Sequence, residues 1–211
     1  NFPYSTKGVA LQVMGSGNIA TYTLVNSDEY NEILNDCYVV IHSRGLLLSV
    51  LPATKYSNIS LNLLNAPAGI LHFALYHKSG KILSDRLWYH HKARGGVIDL
   101  AVHDYTGSNV REMRPISLNY SNNYGESADL SVTVVNTGQG HIDTGLGGIE
   151  AYQLLTSDLM GYIETPGYYF SDKNENRISD LDALLLTQGW SKFNVESILN
   201  ESFSIFNDYY M

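Results

Sequence analysis

Residues 69–91 read GILHFALYHKSGKILSDRLWYHH, and the alternation in this stretch decides what kind of protein the chain makes. In its first limb Leu71, Phe73 and Leu75 alternate with Ile70, His72, Ala74 and Tyr76. One face is therefore apolar and the other mixed, the period-two pattern of a half-buried strand. Lys78-Ser79-Gly80-Lys81 follows as a turn in which glycine supplies the positive φ. The return limb, 82–90, alternates again, with Leu83, Leu87 and Tyr89 on one side and Ile82, Arg86 and Trp88 on the other. A strand pair of this size does not stand alone in water, so its apolar face requires a second sheet or a helix.

Upstream, 9–14 and 21–25 read as short strands joined by Gly15-Ser16-Gly17-Asn18. Residues 27–36 are polar and acidic, a loop or one helical turn. Residues 37–42 and 46–51 flank the turn Ser43-Arg44-Gly45, and their near-continuous hydrophobicity suits a central position in a sheet. Pro52 ends that hairpin, and 59–64 alternates through Ile59, Leu61 and Leu63. This spacing of short strands is that of a small β-sandwich.

Downstream, 92–96 is a short basic, glycine-containing connection and the expected domain boundary. Strands resume at 97–102, 116–120 and 129–135, the last through Leu130, Val132 and Val134. Five glycines in 138–148 mark a loop. The period then changes: Ala151, Leu154, Leu155 and Leu159 predict an amphipathic helix over 149–160, stopped by Gly161. A second helix is expected with Ser179 as cap, Asp182 in capping-box relation, a stripe of Leu181, Leu184 and Leu185, and Gly189 at its end. Trp190 is expected to fold back onto the last turn, and 194–210 to be peripheral. The expected fold is mostly β: two consecutive Ig-like β-sandwich domains, 1–93 and 94–211, the second with short helices near the C-terminus.

Composition agrees with a folded chain. At 211 residues, with 44% hydrophobic and 16% charged, two domains of ordinary size can each close a core. The net charge of −8 and the absence of any Lys/Arg run argue against nucleic acid or an anionic membrane as partner. A single cysteine, Cys37, excludes an internal disulfide framework and reads as a small buried residue. No apolar run is long enough to insert into a membrane as a helix. A start without Met and with a strand-like segment sets the expectation of a piece processed or excised from something longer.

Several patterns invite chemistry. Asp172, Asn174 and Asn176, followed by Asp180 and Asp182, place oxygen ligands at alternate positions as Ca²⁺ requires, but Arg177 and Ala183 stand where an EF-type loop wants Gly and a bidentate acid. Seven histidines include His72 and His90, expected as cross-strand neighbours, and His77 and His91 near the hairpin ends, without a zinc spacing. Asp85, Arg86 and His90 resemble an acid–base set, yet adjacent strand residues point to opposite faces, so Arg86 is expected to pair with a carboxylate or lie over the sheet. Ser43, Ser131 and Ser157 lack a nucleophile elbow. The expectation is no catalytic residue, no cofactor and no metal. Sixteen tyrosines are the unusual feature of composition. Tyr168-Tyr169 and Tyr209-Tyr210, with Trp88 and Trp190, would suit a protein or glycan contact, though tyrosine is also a favoured strand residue.

A family resemblance is carried by particular residues. The segment 70–89, with Ser79-Gly80 and then Asp85-Arg86-Leu87-Trp88-Tyr89, resembles a hairpin of the macroglobulin-like domains in large cell-envelope proteins of Bacteroidetes, and 38–48, YVVIHSRGLLL, resembles the hairpin before it. The second half is similar over 152–170, through Leu154-Leu155, Ser157-Asp158-Leu159, Gly161 and Pro166-Gly167-Tyr168-Tyr169-Phe170, and again at Leu181-Asp182 and 184–190, LLLTQGW, with Phe193. The basic residue that commonly follows Gly-Trp is Ser191 here, with Lys192 next. The resemblance implies an exported, non-catalytic structural and interaction module, periplasmic or at the outer membrane, beside a receptor-like region for TonB-dependent uptake that this chain lacks. Its partners would be other domains of a larger envelope protein or another envelope protein. A macroglobulin protease trap would need a thioester Cys-Gly-x-x-Gln segment, and Cys37 is followed by Tyr38. Two other classes stand beside it: a carbohydrate-binding module, which exposed aromatics on one face or rim would favour, and a hydrolase or metal enzyme, which would need acids or histidines converging in a cleft.

Overall fold

The structure, a computed structural model, describes residues 7–53, 58–92, 96–102, 115–122, 129–130, 132, 134, 147–189 and 191–193. It is mostly β, with several antiparallel sheets. Chain contacts divide it into one unit of Asn1–Lys92 with Asp143–Met211, and another of Ala93–Ile142.

In the first unit, β1 (Val9–Ser16), β2 (Ile19–Asn26) and β5 (Ile59–Asn62) form one sheet in the order β1-β2-β5. The strands β3 (Cys37–Ser43), β4 (Leu46–Pro52), β6 (Gly69–His77) and β7 (Ile82–His90) form a second in the order β4-β3-β6-β7. Between β2 and β3 lie two short 3-10 turns, Asp28–Tyr30 and Ile33–Asp36. Leu11, Val13, Tyr22 and Leu24 of the first sheet share one apolar layer with Val39, Ile41, Leu71, Phe73 and Leu75 of the second. Cys37 is buried in that layer, its Sγ–H donating to the Ile33 carbonyl at 3.1 Å, and burial raises its pKa.

The apolar face of 69–91 therefore has the cover it requires, but β6 is buried on both faces rather than one. Its second face carries Ile70, which joins Leu87 and Tyr89 of β7 in a separate layer with Leu155, Leu159, Ile163, Leu181 and Leu185. A bulge explains why β7 departs from simple alternation: Leu75 pairs with Ser84 and Tyr76 with Ile82, so Leu83 is the extra residue. Leu83 consequently packs with the first layer while Leu87 and Tyr89 pack with the second. Of the second hairpin only β3 is central; β4 is an edge strand with Leu46, Leu47 and Val50 exposed.

The helical residues begin with α1 (Gly148–Ala151), which runs into a π-helical turn over Tyr152–Thr156. The helix expected over 149–160 thus ends early. The Ser157 N–H reaches back to Tyr152 O at 2.9 Å, and Leu159 leaves to form an isolated bridge with Ser191. A 3-10 turn over Pro166–Phe170 precedes α2 (Arg177–Thr187). Asn176, not Ser179, stands at the N-cap; Ser179 lies inside the first turn and its hydroxyl donates to Asn176 O at 2.9 Å. Leu181 and Leu185 are buried as the stripe requires. These helices were expected to trim a second β unit over 94–211; they pack instead on β6 and β7 of the first. The reason is the second apolar face of the 69–91 hairpin, which needs a cover.

The second unit contains β8 (Gly96–Val102) paired antiparallel with β9 (Ile116–Asn122). Ile98 lies opposite Tyr120 and Leu100 opposite Leu118, so one face is apolar. The expected strand over 129–135 is absent among its described residues Asp129, Leu130, Val132 and Val134.

Candidate functional site

Two glycines set the approach to the aromatic residues. Gly147, at φ +68, lies so close to Gly167 that a Cβ would fall 2.5 Å from the Gly167 Cα. This contact holds the start of the helical residues against the Pro166–Phe170 turn. Gly161, at φ +92, then turns the chain outward, so that Tyr162 is 83% exposed while Ile163 is buried beside it.

The result is a shallow groove of about 590 Å³ lined by Tyr162, Ile163, Glu164, Thr165, Tyr168, Tyr169, Leu184 and Gln188. Tyr168, 48% exposed, donates its hydroxyl to Asp180 Oδ2 at 2.7 Å and meets Tyr169 edge-to-face with centroids 5.4 Å apart. The bond to Asp180, more than desolvation, pushes the Tyr168 pKa up, while burial raises that of Tyr169. Gln188 donates from Nε2 to the Tyr162 carbonyl at 3.3 Å. The Tyr168 ring and the Tyr162 main chain are therefore attached to α2 and its C-cap, and α2 is attached to the sheet.

That attachment is polar as well as apolar. Arg86 on β7 donates to Asp182 Oδ1 at 2.7 Å. Arg44 lies in the β3–β4 turn at φ +49, a left-handed conformation that an arginine adopts only under constraint. Its Nε donates to Asp158 Oδ1 at 2.7 Å, with side-chain exposures of 39% and 4% respectively. Burial raises the Asp158 pKa, and the Arg44 bond and charge oppose that rise.

The remaining candidates go to different partners. Trp88, 7% exposed, belongs to the core, against Gly15, and is not a contact residue. Trp190, Tyr209 and Tyr210 lie outside the described residues, as do Ser131 and the residues 194–210. Asp172 pairs with Arg177 at 3.3 Å. Asn174 accepts the Asn176 N–H through Oδ1 at 3.0 Å and donates from Nδ2 to Asp180 Oδ2 at 3.4 Å. The oxygens proposed for Ca²⁺ thus serve the turn before α2 and the Tyr168 hydroxyl. Among the described residues no three His, Cys, Asp or Glu side chains gather into a metal-binding set, and no helix is long and apolar enough to cross a membrane.

His72 does not face His90. Its partners across the sheet are His42 and Leu87, while His90 lies opposite Gly69 with Nδ1 2.9 Å from Pro67 O. His72 Nε2 lies 3.2 Å from Asp85 Oδ2, and the His42 and His72 rings meet at 4.8 Å. Because a carboxylate oxygen accepts, the His72 Nε2–H donates to Asp85. His42 Nδ1 accepts from the Gly45 N–H at 3.4 Å, which leaves Nε2–H as a donor. His72 Nδ1 and His42 Nε2 are both buried without a hydrogen-bond partner among the described residues. Burial first, and the neighbouring His72 second, lower the His42 pKa to about 3.

Sequence reasoning found Tyr168 and Tyr169 but missed Tyr162, Glu164, Thr165 and Gln188. The available signal is Gly161 just before Tyr162, which besides stopping the helix takes the positive φ that turns the chain outward. No protein-family description matches the chain, and no curated protein sequence matches it at a significant level.

Proposed function

We propose that the chain is a non-catalytic structural and interaction module of a bacterial cell-envelope protein, an accessory region of a larger receptor-like chain. Its first unit is a β-sandwich of the Ig-like or macroglobulin-like kind. The second unit, around β8 and β9, is a further small domain of that kind, and the helical residues belong to the first. The observation that carries the reading is the groove of Tyr162 and Tyr168, two exposed rings, one fixed through its hydroxyl and the other through its main chain to a helix that is itself fastened to a sheet. Ordered aromatic rings offer contact area at little entropic cost, as interaction surfaces require. Buried or half-buried ionisable groups serve structure instead: Arg86 with Asp182, Arg44 with Asp158, His72 with Asp85. The resemblance along 70–89 and 152–190 supports the envelope setting, and partners would be other domains of the same protein or a second envelope protein.

The test is fractionation of the source cells, combined with a photo-reactive residue placed at position 162 of the full-length protein. The chain is expected in the envelope fraction, with a cross-link to an envelope component from position 162 and none from exposed position 152. Recovery in the cytosolic fraction with no cross-link from 162 would overturn the proposal.

A further inference from the structure

We infer that the groove at 162–169 binds a neutral oligosaccharide, with Tyr162 and Tyr168 as stacking platforms and Glu164, Thr165 and Gln188 as the hydrogen-bonding rim. The inference rests on the reading of the chain as an interaction module and names its ligand class.

Charge decides the first step. Among the described residues the lining holds one carboxylate, Glu164, and no cation, while Asp180 bonds the Tyr168 hydroxyl. With a net charge of −8 on the whole chain, a polyanion would meet repulsion here, so phosphate polymers and uronate-rich glycans are disfavoured. What remains is a neutral or cationic ligand.

The kind of polar group decides the second. A carboxylate, a hydroxyl and an amide can accept from and donate to the hydroxyls of a sugar, while the C–H face of a pyranose rests on an aromatic ring. Both components are present within one groove, which Leu184 and Ile163 also line. Its volume of about 590 Å³ lies within the range of ligand clefts, roughly 300–1,000 Å³.

Backbone geometry decides against an extended peptide. Strand addition needs an unpaired sheet edge, and this groove is built from 162–165, the Pro166–Phe170 turn and α2. A sugar chain needs no such ladder. Rigidity adds to the case: the 2.7 Å bond to Asp180 and the 5.4 Å contact with Tyr169 fix the Tyr168 ring before any ligand arrives. Less side-chain freedom is then lost on binding.

The test is affinity electrophoresis and calorimetry of the full chain against neutral β-glucan, mannan and galactan, with alginate and a proline-rich peptide as the other arms. At least one neutral polysaccharide is expected to retard the chain. Tyr162→Ala should weaken that binding roughly tenfold, and Glu164→Gln should weaken it as well. Tyr152→Ala, exposed but outside the groove, should leave it unchanged. Circular dichroism of each variant should match the parent. Retardation by no neutral polysaccharide, equal retardation of Tyr162→Ala, or binding of alginate or the peptide in their place would each overturn the inference. A protein cross-link from position 162 in the envelope fraction, with no glycan binding, would defeat this inference while leaving the module reading intact.

Discussion

Acid should weaken this fold through one buried imidazole. His42 is 2% exposed, and its surroundings are the Gly45 N–H, the His72 ring and the cross-strand neighbour Leu47. Its pKa in the fold is lowered to about 3 from the ordinary 6.5. Between those values the unfolded chain takes up a proton that the folded chain refuses, so the unfolded state binds more protons and stability must rise with pH through this window. The contribution is fully present above pH 6.5 and declines below it by about 1.4 kcal/mol per unit. At pH 5, one and a half units below the unfolded value, the loss is about 2 kcal/mol, a large part of a typical stability of roughly 5–15 kcal/mol. Urea unfolding at pH 7.5, 6.0 and 5.0 should be compared between the wild type and His42→Gln, which keeps a side-chain acceptor for Gly45 and does not titrate. The variant starts from lower absolute stability, so the test is the slope: its stability should change less with pH, by about 2 kcal/mol across the range. Parallel curves for the two proteins would refute the argument.

Three further outcomes follow from the packing. Arg44→Ala leaves the Asp158 carboxylate buried without its cation, which should cost about 2 kcal/mol by denaturant titration, below the full buried-pair value because Arg44 is itself 39% exposed. Asp158 has a raised folded pKa, so its ionised form costs stability above that pKa; in Arg44→Ala this cost grows, and the deficit of the variant relative to the wild type should shrink as the pH falls from 7 towards 5, with Asp158→Asn in the same background removing that pH-dependence of the difference. Gly15→Val places a Cβ against the Ile19 carbonyl and Ala20 Cα and 3.0 Å from the Trp88 ring, and should lower the thermal midpoint by several degrees, roughly the effect of 1–3 kcal/mol of overpacking. Leu181→Ala empties the centre of the layer between α2 and β7, at a cost of about 2–5 kcal/mol, and limited proteolysis should cut the helical residues sooner than the sheets.

Where the sequence was readable, a local rule was strong enough to act alone. Alternation and Gly80 defined the 69–91 hairpin, and the leucine spacing placed α2. Two helix boundaries were not readable because side-chain contacts outside the helical pattern moved them, one distant in sequence and one within the preceding turn. Asp158 leaves the first helix beside a turn that places it against Arg44, and the N-cap of α2 falls at Asn176, where the turn from Asp172 is already hydrogen-bonded. The face of Leu83 was misassigned because a bulge has no signature in alternation itself.

The candidate site divides the same way. Tyrosine abundance and the Tyr168-Tyr169 pair drew attention to the right turn, but the same reasoning offered Trp88, which the structure buries. Neighbours in the groove are up to 26 residues apart, as with Gln188 and Tyr162, and no local pattern joins them.

By itself the sequence determined that the chain is mostly β, where its central hairpin turns and which side chains seek the interior, because period-two hydrophobicity and glycine conformation act over a few residues. Only the tertiary structure decided that the hairpin is covered on both faces, that the helical residues return to the first unit, and that His42 lies against His72. These depend on which apolar faces find each other, a choice made by burial over the whole unit and invisible to any short window.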